Sequence, residues 1–150
     1  MKLVLQRVSE ASVSVESNLI GSIGKGLVVF LCIEKGDTPE LVQRYASKVV
    51  RLRIFEDSEG KMNLSIGEVQ GQVLLISQFT LGADAEKGRR PSFDRAAPPE
   101  EALPLYNQFA REITNFGINV IQGVFQAMMK VSLVNDGPVT LILEKRLEEA

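Results

Sequence analysis

This chain reads as an α+β domain: a mostly antiparallel sheet curled towards a barrel, with two main helices packed on one side. Three observations carry that reading. The N-terminal third alternates apolar and polar residues at period two, two apolar runs are bounded by turn residues, and two helix-period stretches interrupt the strands. At 150 residues the chain is one domain, residues 1–150, long enough to bury about 68–70% of its unfolded surface.

Taken in order, Val4-Leu5-Gln6-Arg7-Val8 and Ala11-Ser12-Val13-Ser14-Val15 trade apolar and polar positions as a strand with one buried face does. Glu16-Ser17-Asn18 predicts a turn, residues 19–23 a return strand, and Gly24-Lys25-Gly26 a second turn into the apolar strand 27–33. Gly36-Asp37-Thr38-Pro39-Glu40 starts a helix: a capping Thr, Pro at the first helical position, and an acid near the positive dipole end. Leu41, Tyr45, Val49 and Leu52 form its apolar stripe. Arg44, Lys48 and Arg51 share another face, read either as a solvated basic face or as a phosphate-contacting stripe. After Ile54-Phe55-Glu56, Asp57-Ser58-Glu59-Gly60 is a tight turn, and residues 73–79 form the second strongly apolar strand.

Residues 82–99 predict a long polar loop carrying Lys87-Gly88-Arg89-Arg90-Pro91; unstructured loops beyond about 12–15 residues are often functional. The second helix spans residues 99–116, with Tyr106, Phe109, Ile113 and Phe116 inward, Gly117 as the stop, and Pro104 restricting its regular part. Residues 118–125, 130–134 and 139–143 read as closing strands, and the charged tail 144–150 as a frayed end.

Composition narrows the chemistry. A 45% apolar, 24% charged chain with a net charge of −2 is an ordinary globular protein and lacks the strongly basic balance of a dedicated nucleic-acid-binding domain. The longest apolar run, Leu27-Val28-Val29-Phe30-Leu31-Cys32-Ile33, is too short to cross a bilayer, and the N-terminus lacks a signal-peptide core, so cytoplasmic residence is expected. Cys32 is the single cysteine, which excludes an intramolecular disulfide. With no histidine, a protein zinc site is not expected, and neither is a metal or cofactor. Cys32 inside an apolar run reads as a core residue with a raised pKa, not a nucleophile. Any chemistry must proceed without the usual neutral-pH base, which points to backbone hydrogen bonds and to help from the substrate.

Two segments offer such groups. Ser77-Gln78-Phe79-Thr80-Leu81 ends an apolar strand, where consecutive backbone N–H groups can form an oxyanion site. Thr80 itself reads as a nucleophile, a hydrogen-bonding positioner or a simple strand cap; a hydroxyl nucleophile needs an adjacent base. Asn135-Asp136-Gly137-Pro138-Val139-Thr140 is turn chemistry with a proline that belongs at a strand start or edge. Residues alone read it as a loop, since X-Pro bonds are cis in only about 5–6% of folded cases.

Together, Ser77-Gln78-Phe79-Thr80-Leu81, Lys87-Gly88-Arg89-Arg90-Pro91-Ser92-Phe93 and Val131-Ser132-Leu133-Val134-Asn135-Asp136-Gly137-Pro138-Val139-Thr140 resemble the D-aminoacyl-tRNA deacylases, first named D-tyrosyl-tRNA deacylases. Leu5-Gln6-Arg7-Val8, Leu52-Arg53-Ile54-Phe55-Glu56-Asp57 and Gly60-Lys61-Met62-Asn63-Leu64 extend the likeness over about residues 1–144. Gly82, Gln126 and Met128 depart from the family's usual pattern.

The resemblance implies a homodimeric cytoplasmic enzyme that hydrolyses the ester between a D-amino acid and the terminal adenosine of tRNA. It implies a cis Gly137-Pro138 reaching into the partner subunit's site and rejecting L-aminoacyl esters, with glycyl esters admitted. Gln78, Phe79 and Thr80 would surround the ester, beside Ser77. Arg7 would brace the dipeptide, and Phe125 and Met129 would flank the adenine. Lys87, Arg89 and Arg90 read either as tRNA contacts or as a solvated loop, since Asp84, Glu86 and Asp94 share the segment. The competing reading is a non-catalytic RNA-end or small-ligand binding module of the same fold.

Overall fold

The computed structural model describes residues 1–144, so the tail read above as frayed lies, beyond Glu144, outside the described residues. One long strand organises the sheet. β1 (Lys2–Val15) pairs antiparallel along one edge with β8 (Lys130–Glu144), from Lys2 opposite Glu144 to Ser14 opposite Lys130. Its other edge is shared. The first half pairs with β3 (Gly26–Cys32) and the second half with β2 (Asn18–Ile23), both antiparallel. Glu16 and Ser17, both at positive φ, make the two-residue hairpin that returns β1 into β2.

The remaining strands add parallel pairs to this antiparallel start. β6 (Gln72–Ser77) pairs parallel with β3, and β7 (Asn119–Gln122) pairs parallel with β6, so the sheet is mixed. Each parallel step needs a crossover. α1 (Pro39–Arg51) lies in the first, together with the short pair β4 (Phe55–Glu56) and β5 (Met62–Leu64); α2 (Pro99–Asn115) lies in the second. The two stretches read as strands around the Asn135–Val139 turn are one continuous β8, whose pairing with β1 shifts register there.

The sheet almost closes on itself. A Cβ at Gly21 of β2 would sit 2.4 Å from Ile121 Cγ2 of β7, so only glycine permits that approach. Strand alternation then builds two cores. Leu3, Leu5, Val29, Val73 and Leu75 face the helices and meet Val42, Val49, Phe109 and Ile113. Val8, Val13, Val28, Leu74 and Ile76 fill the inside of the curl.

Helix α1 begins as its sequence dictates: Thr38 Oγ1 accepts from the Leu41 N–H at 3.2 Å, with Pro39 in the first turn. Its buried face is Leu41, Val42, Ala46 and Val49, with Tyr45 and Leu52 half-buried beside it, so the stripe is rotated slightly from the one read by spacing. Helix α2 starts at Pro99 despite Pro104, because Glu101 and Ala102 close the first turn back onto the Pro98 carbonyl. Phe116, expected inward, is exposed, since the helix stops at Asn115 and the chain leaves the stripe through Gly117 at φ +85°. Among the described residues no helix is long and apolar enough to cross a membrane.

Candidate active site

β6 ends at Ser77 and not at Phe79, because its partner runs out. Ser77 pairs with Leu31, the next donor, Gln78 N–H, takes the Leu31 carbonyl at 2.9 Å, and β3 stops at Cys32. The chain then makes a single 3₁₀ turn, Phe79–Gly82. Leu81 N–H closes onto the Gln78 carbonyl and Ala83 N–H onto that of Thr80. The N–H groups of Phe79 and Thr80 precede the first closed bond and have no acceptor among the described residues. Gln78 Nε2 donates to Thr80 Oγ1 at 3.2 Å, which holds the exposed hydroxyl at the start of the turn.

The turn opens onto a cavity of about 1000 Å³. Ser77, Gln78, Phe79 and Thr80 line it, as do Phe125 and Met129 from the segment between β7 and β8. That second segment is tied down to β6 and α2. Leu75 O accepts from Gly123 N–H at 2.9 Å and from the buried Tyr106 hydroxyl at 3.0 Å, and the Tyr106 ring packs on Phe125 at 5.7 Å between centroids. Burial pushes the Tyr106 phenol up to about 12, so it serves here as a neutral donor. Gly123 lets Met129 pack close: a Cβ there would lie 2.7 Å from Met129 Sδ, so a larger residue would have to displace that flexible side chain.

Cys32 borders the cavity yet is 1% exposed, and its thiol is pushed up to about 11, first by burial and then by the Glu34 carboxylate. It is a thiol at neutral pH, packed under the turn: Sγ lies 3.5 Å from the Phe79 carbonyl, and a Cβ on Gly82 would come within 3.2 Å of that sulfur.

A second arrangement lies outside the cavity. Arg7, 6% exposed, donates from Nε to the Asp136 carbonyl and from Nη1 to the Ile54 carbonyl, each at 2.8 Å. Asn135 Oδ1 accepts from Val139 N–H at 2.7 Å, closing the turn from within. Gly137 has φ +139° and its bond to Pro138 is cis; both residues are exposed.

A family model described as D-Tyr-tRNA(Tyr) deacylase matches residues 4–144. The chain belongs to that family. Relatives named D-aminoacyl-tRNA deacylase include proteins of Geotalea uraniireducens (strain Rf4), 56% identical over 96% of this chain and 93% of theirs, and Geobacter sulfurreducens, 56% identical over 97% and 96%. One from Thermodesulfovibrio yellowstonii is 53% identical over 97% of this chain and the whole of its own. The solved structure of a c-Myc DNA Unwinding Element Binding Protein superposes with a TM-score of 0.91 at 39% identity, covering 97% of this chain and 99% of that one. A probable eukaryotic D-amino acid tRNA deacylase shares the fold, with a TM-score of 0.82 at 18% identity over 95% and 97%.

In this deacylase-family chain the residues picked from sequence fall into three groups. Ser77, Gln78, Phe79, Thr80, Phe125 and Met129 share the cavity. Arg7, Gly137 and Pro138 stand together away from its lining. Lys87, Arg89 and Arg90 sit exposed on a loop between the 3₁₀ turn and α2. Sequence reasoning assigned no role to Tyr106 beyond the helix stripe, nor any to Phe93, which lines the cavity. Tyr106 was the only polar member of its stripe, which is the signal that would have singled it out. Among the described residues no three His, Cys, Asp or Glu side chains gather as a metal site would require.

Proposed function

We propose that this chain hydrolyses the ester joining a D-amino acid to the terminal adenosine of tRNA, as a cytoplasmic homodimer and without a cofactor. The observation that carries this reading is the pair of unpartnered N–H groups, Phe79 and Thr80, opening onto a cavity large enough for an aminoacyl nucleoside, in a chain of the deacylase family. Ester hydrolysis passes through an oxyanion, and two aimed backbone donors stabilise it without an ionisable side chain. An aminoacyl ester is already reactive, and its neighbouring ribose hydroxyl assists attack by water, so a chain without histidine suffices. Phe125 and Met129 flank the adenine, Ser77 and Gln78 complete the ester wall, and Lys87, Arg89 and Arg90 meet the tRNA backbone.

Chirality is assigned to Gly137 and Pro138 of a second copy. Their exposure outside their own cavity supports an inserted dipeptide, and the Arg7 bond to the Asp136 carbonyl supports a rigid one. A wall of fixed backbone leaves no room for an L side chain, so selection works by rejection and admits glycine. A thousandfold preference corresponds to about 4 kcal/mol, within reach of a steric clash.

The test is hydrolysis of matched D-tyrosyl-, L-tyrosyl- and glycyl-tRNA by catalytic amounts of protein, with the mass in solution measured in parallel. Many turnovers on the D and glycyl esters, sparing of the L ester and a dimer support the reading. Binding of tRNA without turnover would instead favour a nucleic-acid-binding module, and a monomer that still rejects L esters would remove the shared site.

A further inference from the structure

The mouth of the cavity carries aromatic surface that ester hydrolysis does not use. Phe93 lines it while 38% exposed, and Phe79 is 57% exposed. Their rings meet edge to face, 5.2 Å between centroids and 70° between planes, which holds Phe93 at a fixed angle. Met128, on the same rim, is 91% exposed. Single exposed apolar residues need no explanation, but three around one opening mark a surface that binds something. Phe79 can serve twice, because its backbone N–H has no acceptor among the described residues while its ring stays exposed beside Phe93.

Phe93 also stands at the root of a basic hairpin. Asp84 and Ser92 exchange both backbone hydrogen bonds, at 2.7 and 2.9 Å, and so hold residues 85–91 as a projecting tip. On the other side Ala96 N–H takes the Phe93 carbonyl at 3.1 Å. Lys87, Arg89 and Arg90 lie on that tip, exposed, and among the described residues none of them makes an ion pair.

We propose that Phe93, propped by Phe79, is a stacking platform for the unpaired nucleotide that precedes the terminal adenosine, with the Lys87-Arg89-Arg90 tip beside its phosphate. The proposal deepens the deacylase reading and rests on it. An exposed aromatic face accepts any base, and free cations beside it match the charge of a nucleic-acid backbone. The platform is continuous with the cavity wall, so the group that reaches it is the neighbour of the nucleoside held inside.

Two minimal substrates isolate this subsite: the D-tyrosyl ester of adenosine and that of the dinucleotide cytidylyl-adenosine. The reading is the ratio of their kcat/KM values within each protein. Removing a base–aromatic stack typically costs 1–3 kcal/mol, so the ratio in the unaltered protein is expected at about fivefold or more in favour of the dinucleotide. It should collapse to about one in Phe93→Ala and return in Phe93→Tyr. Equal rates on both esters in the unaltered protein, or the same ratio in Phe93→Ala, would overturn the platform while leaving the hydrolase reading standing. Failure to cleave either ester would overturn the hydrolase reading and the subsite with it.

Discussion

Arg7 and Asp136, 129 residues apart in the chain, are joined by a 2.8 Å hydrogen bond from Arg7 Nε to the Asp136 carbonyl. The same guanidinium reaches the Ile54 carbonyl, so one buried side chain ties the turn before Gly137 to the strand-and-loop layer behind it. Glu56 stands 3.8 Å from Nη2 but is mostly exposed and adds little. Lysine has one ammonium and cannot serve both carbonyls in a fixed fork. Arg7→Lys is therefore expected to leave a buried carbonyl unpaired, lowering stability by about 1–3 kcal/mol in urea denaturation. It should also narrow the gap between D- and L-tyrosyl-tRNA hydrolysis as the dipeptide loosens. An unchanged midpoint with an unchanged D:L ratio would deny Arg7 both roles.

Gly137 has a backbone conformation that an L side chain rarely adopts, φ +139°, and little space around its α-carbon. A Cβ would lie 2.8 Å from Val139 Cγ2, 3.0 Å from Val139 N and 3.0 Å from Arg7 Nη2. Gly137→Ala is expected to cost about 1–3 kcal/mol and to shift the Asn135–Val139 turn. The informative readout is chiral. If the rejecting wall is built from this turn, the variant should cleave L-tyrosyl-tRNA measurably while keeping D activity; a variant that loses stability yet still spares the L ester places rejection elsewhere.

How much of this was legible in the sequence differs by segment. β1 to β3 were readable because period-two alternation and the Glu16-Ser17 turn are local signals. The parallel pairing of β6 was not, since Val73-Leu74-Leu75-Ile76 would read the same in any strand covered on both faces. The 3₁₀ turn at Phe79 arises because β3 ends at Cys32, a fact held in a different part of the chain. Phe116 was misjudged by one position, where the helix stops and the stripe with it. For the site, the motif residues located the cavity wall. Arg7 came into view only through the family resemblance, and the Tyr106 clamp and the Phe79–Phe93 pair depend on side chains that meet only in three dimensions.

Thr80 offers a direct contrast between two chemistries. Its hydroxyl is exposed and accepts from the Gln78 amide, and the chain has no histidine to deprotonate it. A lost nucleophile costs on the order of 10⁶ in kcat, whereas a lost positioning bond costs about tenfold. Thr80→Val is expected to reduce kcat on D-tyrosyl-tRNA by no more than about tenfold. Replacing the assisting ribose hydroxyl of the terminal adenosine by hydrogen should cost about a hundredfold or more, in the range of lost general catalysis. Inactive Thr80→Val with full folding, measured by circular dichroism, would restore Thr80 as the nucleophile.

Cys32 supplies a pH dependence whose direction is fixed by its burial. The unfolded thiol ionises near its ordinary value of 9.0, while the folded one is held up at about 11. Between those values the native state keeps a proton that the unfolded chain has released, so this contribution is fully present below pH 9 and is lost as pH rises towards 11. Two units correspond to a loss on the order of 2 kcal/mol across that window. Tyr106, raised from 10.0 to about 12, acts in the same direction one unit higher, so a comparison is needed to isolate the thiol. Urea midpoints of the native chain and Cys32→Ala, taken from pH 8 to 11, should converge as pH rises, because only the native chain loses the Cys32 contribution. Over the same range below pH 9, alkylating reagents should leave hydrolysis intact, since the buried sulfur holds almost no thiolate. Parallel midpoint curves, or rapid inactivation at pH 8, would mean that the sulfur beneath the Phe79–Gly82 turn reaches solvent.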